Sequence, residues 1–345
     1  MSITPMRPNP LLILDADGVF MDEMPYWNTA LVTMMHRFGM SCGAPARWES
    51  LSSACFVDDC VQGVTKGRGC NSNWDLAAVM IRAVDDDSRR AALRGELNSR
   101  RYAGFATRLK RGMEALWREG EVSDPLNRFG IERSGAFFQE VVAEFQLIFE
   151  ESDEVDWARI GWSFERQVPV LPANELRALF ERLKGAGYTL GVCTSRAESE
   201  TVDPMSQLGI LDCFDRDRVV TNDQAVAAEA RLNLSHLAKP HPFPLLCAAL
   251  DFETAIEACR SGAVDSTAAV RDVVYVGDAP ADFEAAQRAR ALGLAVTYVH
   301  IDSGLSPEDV REAIAGSALT GLVAPRLADC ETWLSGCAGC VESQA

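Results

Sequence analysis

The chain has 345 residues, 48% of them apolar, and a formal net charge of -17. That length is a prior for two domains, and that apolar share can build a sizeable core. So acidic a balance excludes nucleic acid as a partner on bulk electrostatics, and an anionic substrate would need locally supplied positive charge.

The opening residues, MSITPMRPNP, hold no apolar stretch long enough for a signal peptide. No segment reaches the roughly 20 apolar residues of a membrane span. The chain therefore reads as soluble and cytoplasmic, with no membrane partner. Next comes LLILDADGVF, Leu11 to Phe20, an apolar strand running into Asp15 and Asp17 and broken by Gly18. Two carboxylates so close are costly unless a cation or a developing positive charge sits with them. Taken alone, the stretch is either a strand before a polar turn or a metal site with a nucleophile.

Residues 21–165 lack strand alternation. YWNTALVTMMHRFG, NWDLAAVMIRAV and GAFFQEVVAEFQLIFEE carry apolar stripes at helical spacing. Asp22 and Glu23 read as surface polar residues at the start of this block. The stretch Gly63 to Asp75, GVTKGRGCNSNWD, surrounds Lys66 and Arg68 with glycines. It is not a phosphate-binding Walker loop, because no Lys-Ser or Lys-Thr follows the required spacing. Two readings stand side by side: a polar loop with Asn or Ser capping the next helix, or a specificity loop whose Lys66 and Arg68 meet an anionic group on the substrate. Ser88 to Arg118 carries nine Lys or Arg and two Glu, and reads as a solvated amphipathic helix.

From residue 166 onward, strands and helices alternate. PANELRALFERLKGAGY places Leu176, Leu179, Phe180 and Leu183 on one helical face before a glycine stop. TLGVCTS is a strand, while PMSQLGILDCF and PLLCAALDFETAIEACR read as helical. SGAVDSTAAVRD, 261–272, reads as a surface loop. DVVYVGD is a buried strand, DFEAAQRARALG a helix and AVTYVHI another strand. This alternation predicts an α/β fold, a Rossmann-like parallel sheet covered by helices, with Leu11–Leu14 as its first strand. The division is then a discontinuous core of 1–20 and 166–345 and an inserted helical block of 21–165.

Eleven scattered cysteines in a chain of this size do not suggest a disulfide framework. Cys193 reads as a small buried hydrophobe. Cys337 and Cys340, in CAGC, form a single C-x-x-C with no second pair at metal spacing, and read as free thiols on a mobile tail.

Four features stand where strands end: Asp15-x-Asp17-Gly18; Thr194, Ser195 and Arg196 after GVC; Lys239 in AKPHP; and Gly277-Asp278 with Asp282 in GDAPAD. Sites of parallel α/β sheets form outside the carboxyl ends of the strands, so the topology would bring all four together. Singly each is weak, but the order and strand context make the set specific. His241, beside Lys239, reads as a loop residue.

With these residues in view, the chain resembles a haloacid-dehalogenase-superfamily phosphatase, through DADGVF, GVCTSR, AKPHP and GDAPAD. Many members carry a helical cap after the first motif, which matches the block at 21–165. The resemblance implies a Mg²⁺-dependent phosphomonoesterase acting on a small phosphorylated metabolite. Asp15 would be the nucleophile and form an aspartyl-phosphate, with Asp17 as acid and then base. Asp15, the Asp17 backbone carbonyl and Asp278 would ligate Mg²⁺, with Asp282 orienting a water or a neighbouring side chain. Thr194, Ser195 and Arg196 would meet the phosphate, and Lys239 would offset the charge on it and on Asp15. Asp17 argues against a dehalogenase, which expels halide without a leaving-group acid.

DADGVFMDEMPYW also resembles the opening of β-phosphoglucomutase-like chains. Those have a histidine where this chain has Trp27. A phosphosugar mutase is the alternative enzyme. A non-catalytic binding protein is the alternative outside enzymes, and would be expected to show a damaged motif. Phosphoglycolate and sugar phosphates are the substrates to try first, since capped phosphatases of this kind often use them.

Overall fold

Leu11–Leu14 form a strand, β1, and all four are fully buried, as a strand covered on both faces must be. The computed structural model describes residues 9–37, 72–83, 126, 129–150, 152, 154–155, 168–234, 236–265, 271–302 and 308–339. Two units emerge, one of Met1–Asp22, Pro169–Gly304 and Glu308–Ala345, the other of Glu23–Val168 with Leu305–Pro307.

The second unit is helical in its described parts. The helices among its described residues are α1 (Met24–Arg37), α2 (Asn73–Ala83) and α3 (Ala136–Phe149). In α3 the buried residues Phe138, Val141, Phe145 and Ile148 recur at helical spacing. Tyr26 of α1 stacks on Phe149 at 4.7 Å between ring centroids. The Ser72 hydroxyl accepts the Asp75 N–H at 3.4 Å, so serine caps α2. Lys66, Arg68 and the basic stretch 88–118 lie outside the described residues.

In the first unit, the apolar face expected for PANELRALFERLKGAGY appears as α4 (Ala173–Gly185), burying Leu176, Leu179, Phe180 and Leu183. After it come β2 (Thr189–Cys193), α5 (Ser199–Gln207) and β3 (Val219–Val220). Next are α6 (Asn222–Leu232), α7 (Phe243–Ala249), α8 (Phe252–Ser261), β4 (Val273–Gly277), α9 (Pro280–Ala291) and β5 (Val296–Ile301). The set closes with α10 (Glu308–Ala315), β6 (Thr320–Ala324) and α11 (Glu331–Gly339).

All strands are parallel, in the order β3-β2-β1-β4-β5-β6. Alternate residues of β1 face opposite sides. Leu12 and Leu14 join a core with Phe20, Phe180 and Phe214, while Leu11 and Ile13 join one with Phe243, Tyr275 and Tyr298. Each such buried side chain contributes about 1.5–3 kcal/mol by leaving water.

Local differences from the sequence reading have local causes. PMSQLGILDCF is not one helix: α5 ends at Gln207, Gly209 takes φ +66°, and a short 3-10 turn follows at Leu211–Cys213. PLLCAALDFETAIEACR is two helices, because Asp251 caps α8 by accepting the Thr254 N–H at 2.8 Å. The CAGC segment is not wholly a mobile tail. Cys337 lies in α11, which buries Leu334, Cys337 and Ala338, and the Tyr188 hydroxyl donates to the Leu334 carbonyl at 2.9 Å. Cys340 lies outside the described residues. Among the described residues, no helix is long and apolar enough to cross a membrane.

Candidate active site

Register decides which residues meet. Leu14 pairs with Val192 of β2 on one side and Val276 of β4 on the other. Asp15, Thr194 and Asp278 therefore leave the sheet at the same edge, two strands of it flanking the point where strand order reverses. The Asp15 N–H donates to the Val276 carbonyl at 2.8 Å, which ties the two ends together.

Gly18 and Gly277 make room for this convergence. Gly18 has φ +71°, and a Cβ there would lie 2.0 Å from Asp278 Oδ2. A Cβ on Gly277 would lie 2.5 Å from Asp282 Cβ. The first glycine is needed for its backbone angle and for space, the second for space.

Lys239 lies at the centre. Its Nζ is 2.9 Å from Asp15 Oδ1 and 2.7 Å from Asp282 Oδ1, and it donates to the Cys193 carbonyl at 3.4 Å. Asp282 is fully buried; its Oδ1 also accepts the Tyr275 hydroxyl at 2.6 Å, and its Oδ2 accepts the Ala279 N–H at 3.1 Å. Asp282 thus orients Lys239 in this structure. Thr194 is buried at the end of β2, while Ser195 beside it is exposed.

The charges are unequal partners. Burial pushes Asp15 up to about 7, the Lys239 ammonium opposes this, and Asp282 and Asp17 add to it. Burial acts upward on Asp282 too, but Lys239 and the bonds from Tyr275 and Ala279 overcome it and hold this carboxyl below its usual range. Burial works against the Lys239 charge, yet Asp15 and Asp282 prevail and keep it protonated.

Asp17 stands apart from that cluster. Its Oδ1 accepts from both Nε and Nη2 of Arg196, at 3.1 and 2.5 Å. The Arg196 side chain is buried, that of Asp17 22% exposed.

Among the described residues, Asp15, Asp278 and Asp282 offer carboxylate oxygens that all lie within 4.8 Å of one another. An all-oxygen, anionic donor set suits a hard divalent cation such as Mg²⁺. The structure therefore brings together Asp15, Asp17, Thr194, Arg196, Lys239, Asp278 and Asp282, from strand ends, loops and a helix start far apart in sequence. Tyr275 was not foreseen. The available signal was a lone hydroxyl in an otherwise aliphatic buried strand, which must find an acceptor.

The model of the haloacid dehalogenase-like hydrolase family matches residues 10–290. A crystal structure determined as a structural-genomics target superimposes with a TM-score of 0.61 at 20% identity, covering 95% of this chain and 98% of that one, and shares its fold. A candidate phosphoglycolate phosphatase of Lactobacillus plantarum gives 0.45 at 14% identity, covering 95% of this chain and 100% of that one. A β-phosphoglucomutase of Clostridium difficile gives 0.40 at 12%, covering 97% and 100%. No curated protein sequence matches the chain.

Proposed function

The chain belongs to the haloacid dehalogenase-like hydrolases, and from that premise we propose that it is a Mg²⁺-dependent phosphomonoesterase acting on a small phosphorylated metabolite. The observation that carries this reading is the buried Lys239 between Asp15 and Asp282, with Asp278 alongside and Asp17 one residue beyond Ala16. That arrangement supplies a nucleophile, a cation beside it and a second carboxyl for proton transfer.

In the forward step an Asp15 carboxylate oxygen attacks phosphorus. The ester P–O bond breaks, and Asp17 gives its proton to the departing oxygen. Asp17, now ionised, takes a proton from water as that water attacks the aspartyl-phosphate, which frees phosphate and restores both groups. Lys239 offsets negative charge on Asp15 and on the phosphoryl oxygens, and Thr194 and the exposed Ser195 offer hydroxyls to those oxygens. Asp15, Asp278 and the Asp17 backbone carbonyl would hold Mg²⁺, with Asp282 beside them, and the ion would supply further positive charge to the phosphoryl group.

The test is Mg²⁺-dependent release of phosphate across a panel of metabolite phosphates, with phosphoglycolate and sugar phosphates first. Release abolished in Asp15→Asn supports the reading. Activity that survives that change removes Asp15 as nucleophile, and conversion of a sugar phosphate to its isomer with little free phosphate replaces hydrolysis by a mutase reaction.

A further inference from the structure

The sequence reading sets Arg196 against the phosphate, but in the structure its guanidinium is engaged by Asp17. That guanidinium is buried and anchored at its far side, where Nη1 donates to the Glu200 carbonyl at 3.2 Å. Its other two nitrogens converge on a single oxygen, Asp17 Oδ1. The two residues are 179 positions apart, and meet because β1 and β2 are neighbours in parallel register. A guanidinium tied at one end and forked at the other fixes that oxygen in both distance and direction, which a lysine ammonium could not do.

We infer that Arg196 is a positioning residue for the acid–base step: it holds Asp17 by Oδ1, so that proton transfer to the leaving oxygen proceeds from a fixed carboxyl. This rests on the phosphatase reading. It differs from a role as a phosphate ligand, because an arginine acting through Asp17 matters only where the leaving oxygen needs a proton. An alkyl phosphate needs one badly; a nitrophenyl phosphate, whose leaving oxygen is stable as an anion, hardly does. General acid catalysis contributes about 10²–10⁴-fold where it is needed.

The experiment compares kcat/KM, which reads the steps through departure of the leaving group, for glycerol phosphate and nitrophenyl phosphate with Mg²⁺ present. Arg196→Gln is expected to lose about 10²-fold on the alkyl ester and within about threefold on the aryl ester. Arg196→Lys, which keeps the charge but not the fork, is expected to show a smaller loss with the same selectivity, and carries the comparison if the glutamine variant does not fold. The double variant Asp17→Asn/Arg196→Gln is expected to be no slower on the alkyl ester than Asp17→Asn alone. Equal losses on both esters, or fully additive losses in the double variant, overturn the inference and leave Arg196 as a phosphate ligand. Should the wild type turn over neither ester, the alkyl ester is replaced by the best substrate of the metabolite panel; a wild type that releases phosphate from no member of that panel overturns the phosphatase reading itself, and this inference with it.

Discussion

Lys239 Nζ lies 2.7 Å from Asp282 Oδ1, with the two side chains 2% and 0% exposed. A charge pair so deprived of water is weak proof of net stability, but removing one partner strands the other in a poor dielectric. Lys239→Met would leave Asp15 and Asp282 together without a cation. We expect it to destabilise the protein by about 3–5 kcal/mol near neutral pH. Protonation can relieve two unpaired carboxylates, so the loss should shrink as the pH falls toward 5. Urea denaturation at the two pH values checks both the size and the direction; a loss that grows on acidification contradicts the arrangement.

The raised Asp15 gives an opposite-looking effect. Its carboxyl titrates near 7 in the fold against 3.8 in the open chain, so the folded state holds this proton more tightly. Its ionisation therefore disfavours folding: the contribution is most favourable at low pH and is lost as pH rises from about 4 through 7. In metal-free protein, Asp15→Asn should gain stability relative to wild type on going from pH 5 to pH 8, on the order of a few kcal/mol at most. Melting temperatures in the presence of a chelator measure this. A difference in melting temperature between variant and wild type that stays constant across the range would mean that Asp15 is ionised throughout.

Much of this site was legible because its chemistry sits at strand ends. A run such as Leu11–Leu14, buried on both faces, announces a central parallel strand, and the carboxylates after it then have a defined edge to occupy. Pairings between distant loops were not legible. Nothing local in sequence says that Arg196 reaches Asp17 or that Tyr275 reaches Asp282, since both depend on strand order and register. Short or weakly apolar elements escaped for another reason. β3 has two residues, and β6 leaves most of its residues partly exposed, so neither gives a strong periodic signal.

Tyr275 offers a measure of how much the support of Lys239 matters. Tyr275→Phe keeps the ring in its core and deletes only the hydroxyl that donates to Asp282 Oδ1 at 2.6 Å. Asp282 retains Lys239 and the Ala279 N–H, so its carboxylate is weakened in support but not abandoned. The expected cost is about 1.5–3 kcal/mol, as for a hydrogen bond to a charged group. Chemical denaturation of the variant, beside phosphate release at saturating substrate, separates a stability cost from a catalytic one. A variant as stable as wild type would show that the Lys239–Asp282 pair needs no third partner.

Gly18→Ala tests the crowding around the carboxylates of Asp15, Asp278 and Asp282. A methyl group at that position would lie 2.0 Å from Asp278 Oδ2 and 2.5 Å from its Cγ, so Asp278 must move. The residue's φ of +71° adds a strain of about 1–2 kcal/mol for any side chain. The strain alone should lower the melting temperature by several degrees and leave cation binding intact. The displacement of Asp278 should do the reverse, weakening Mg²⁺ binding whether or not the fold is perturbed. Calorimetric titration of the folded variant with Mg²⁺ distinguishes the two. Affinity equal to that of wild type would place the cation away from Asp278.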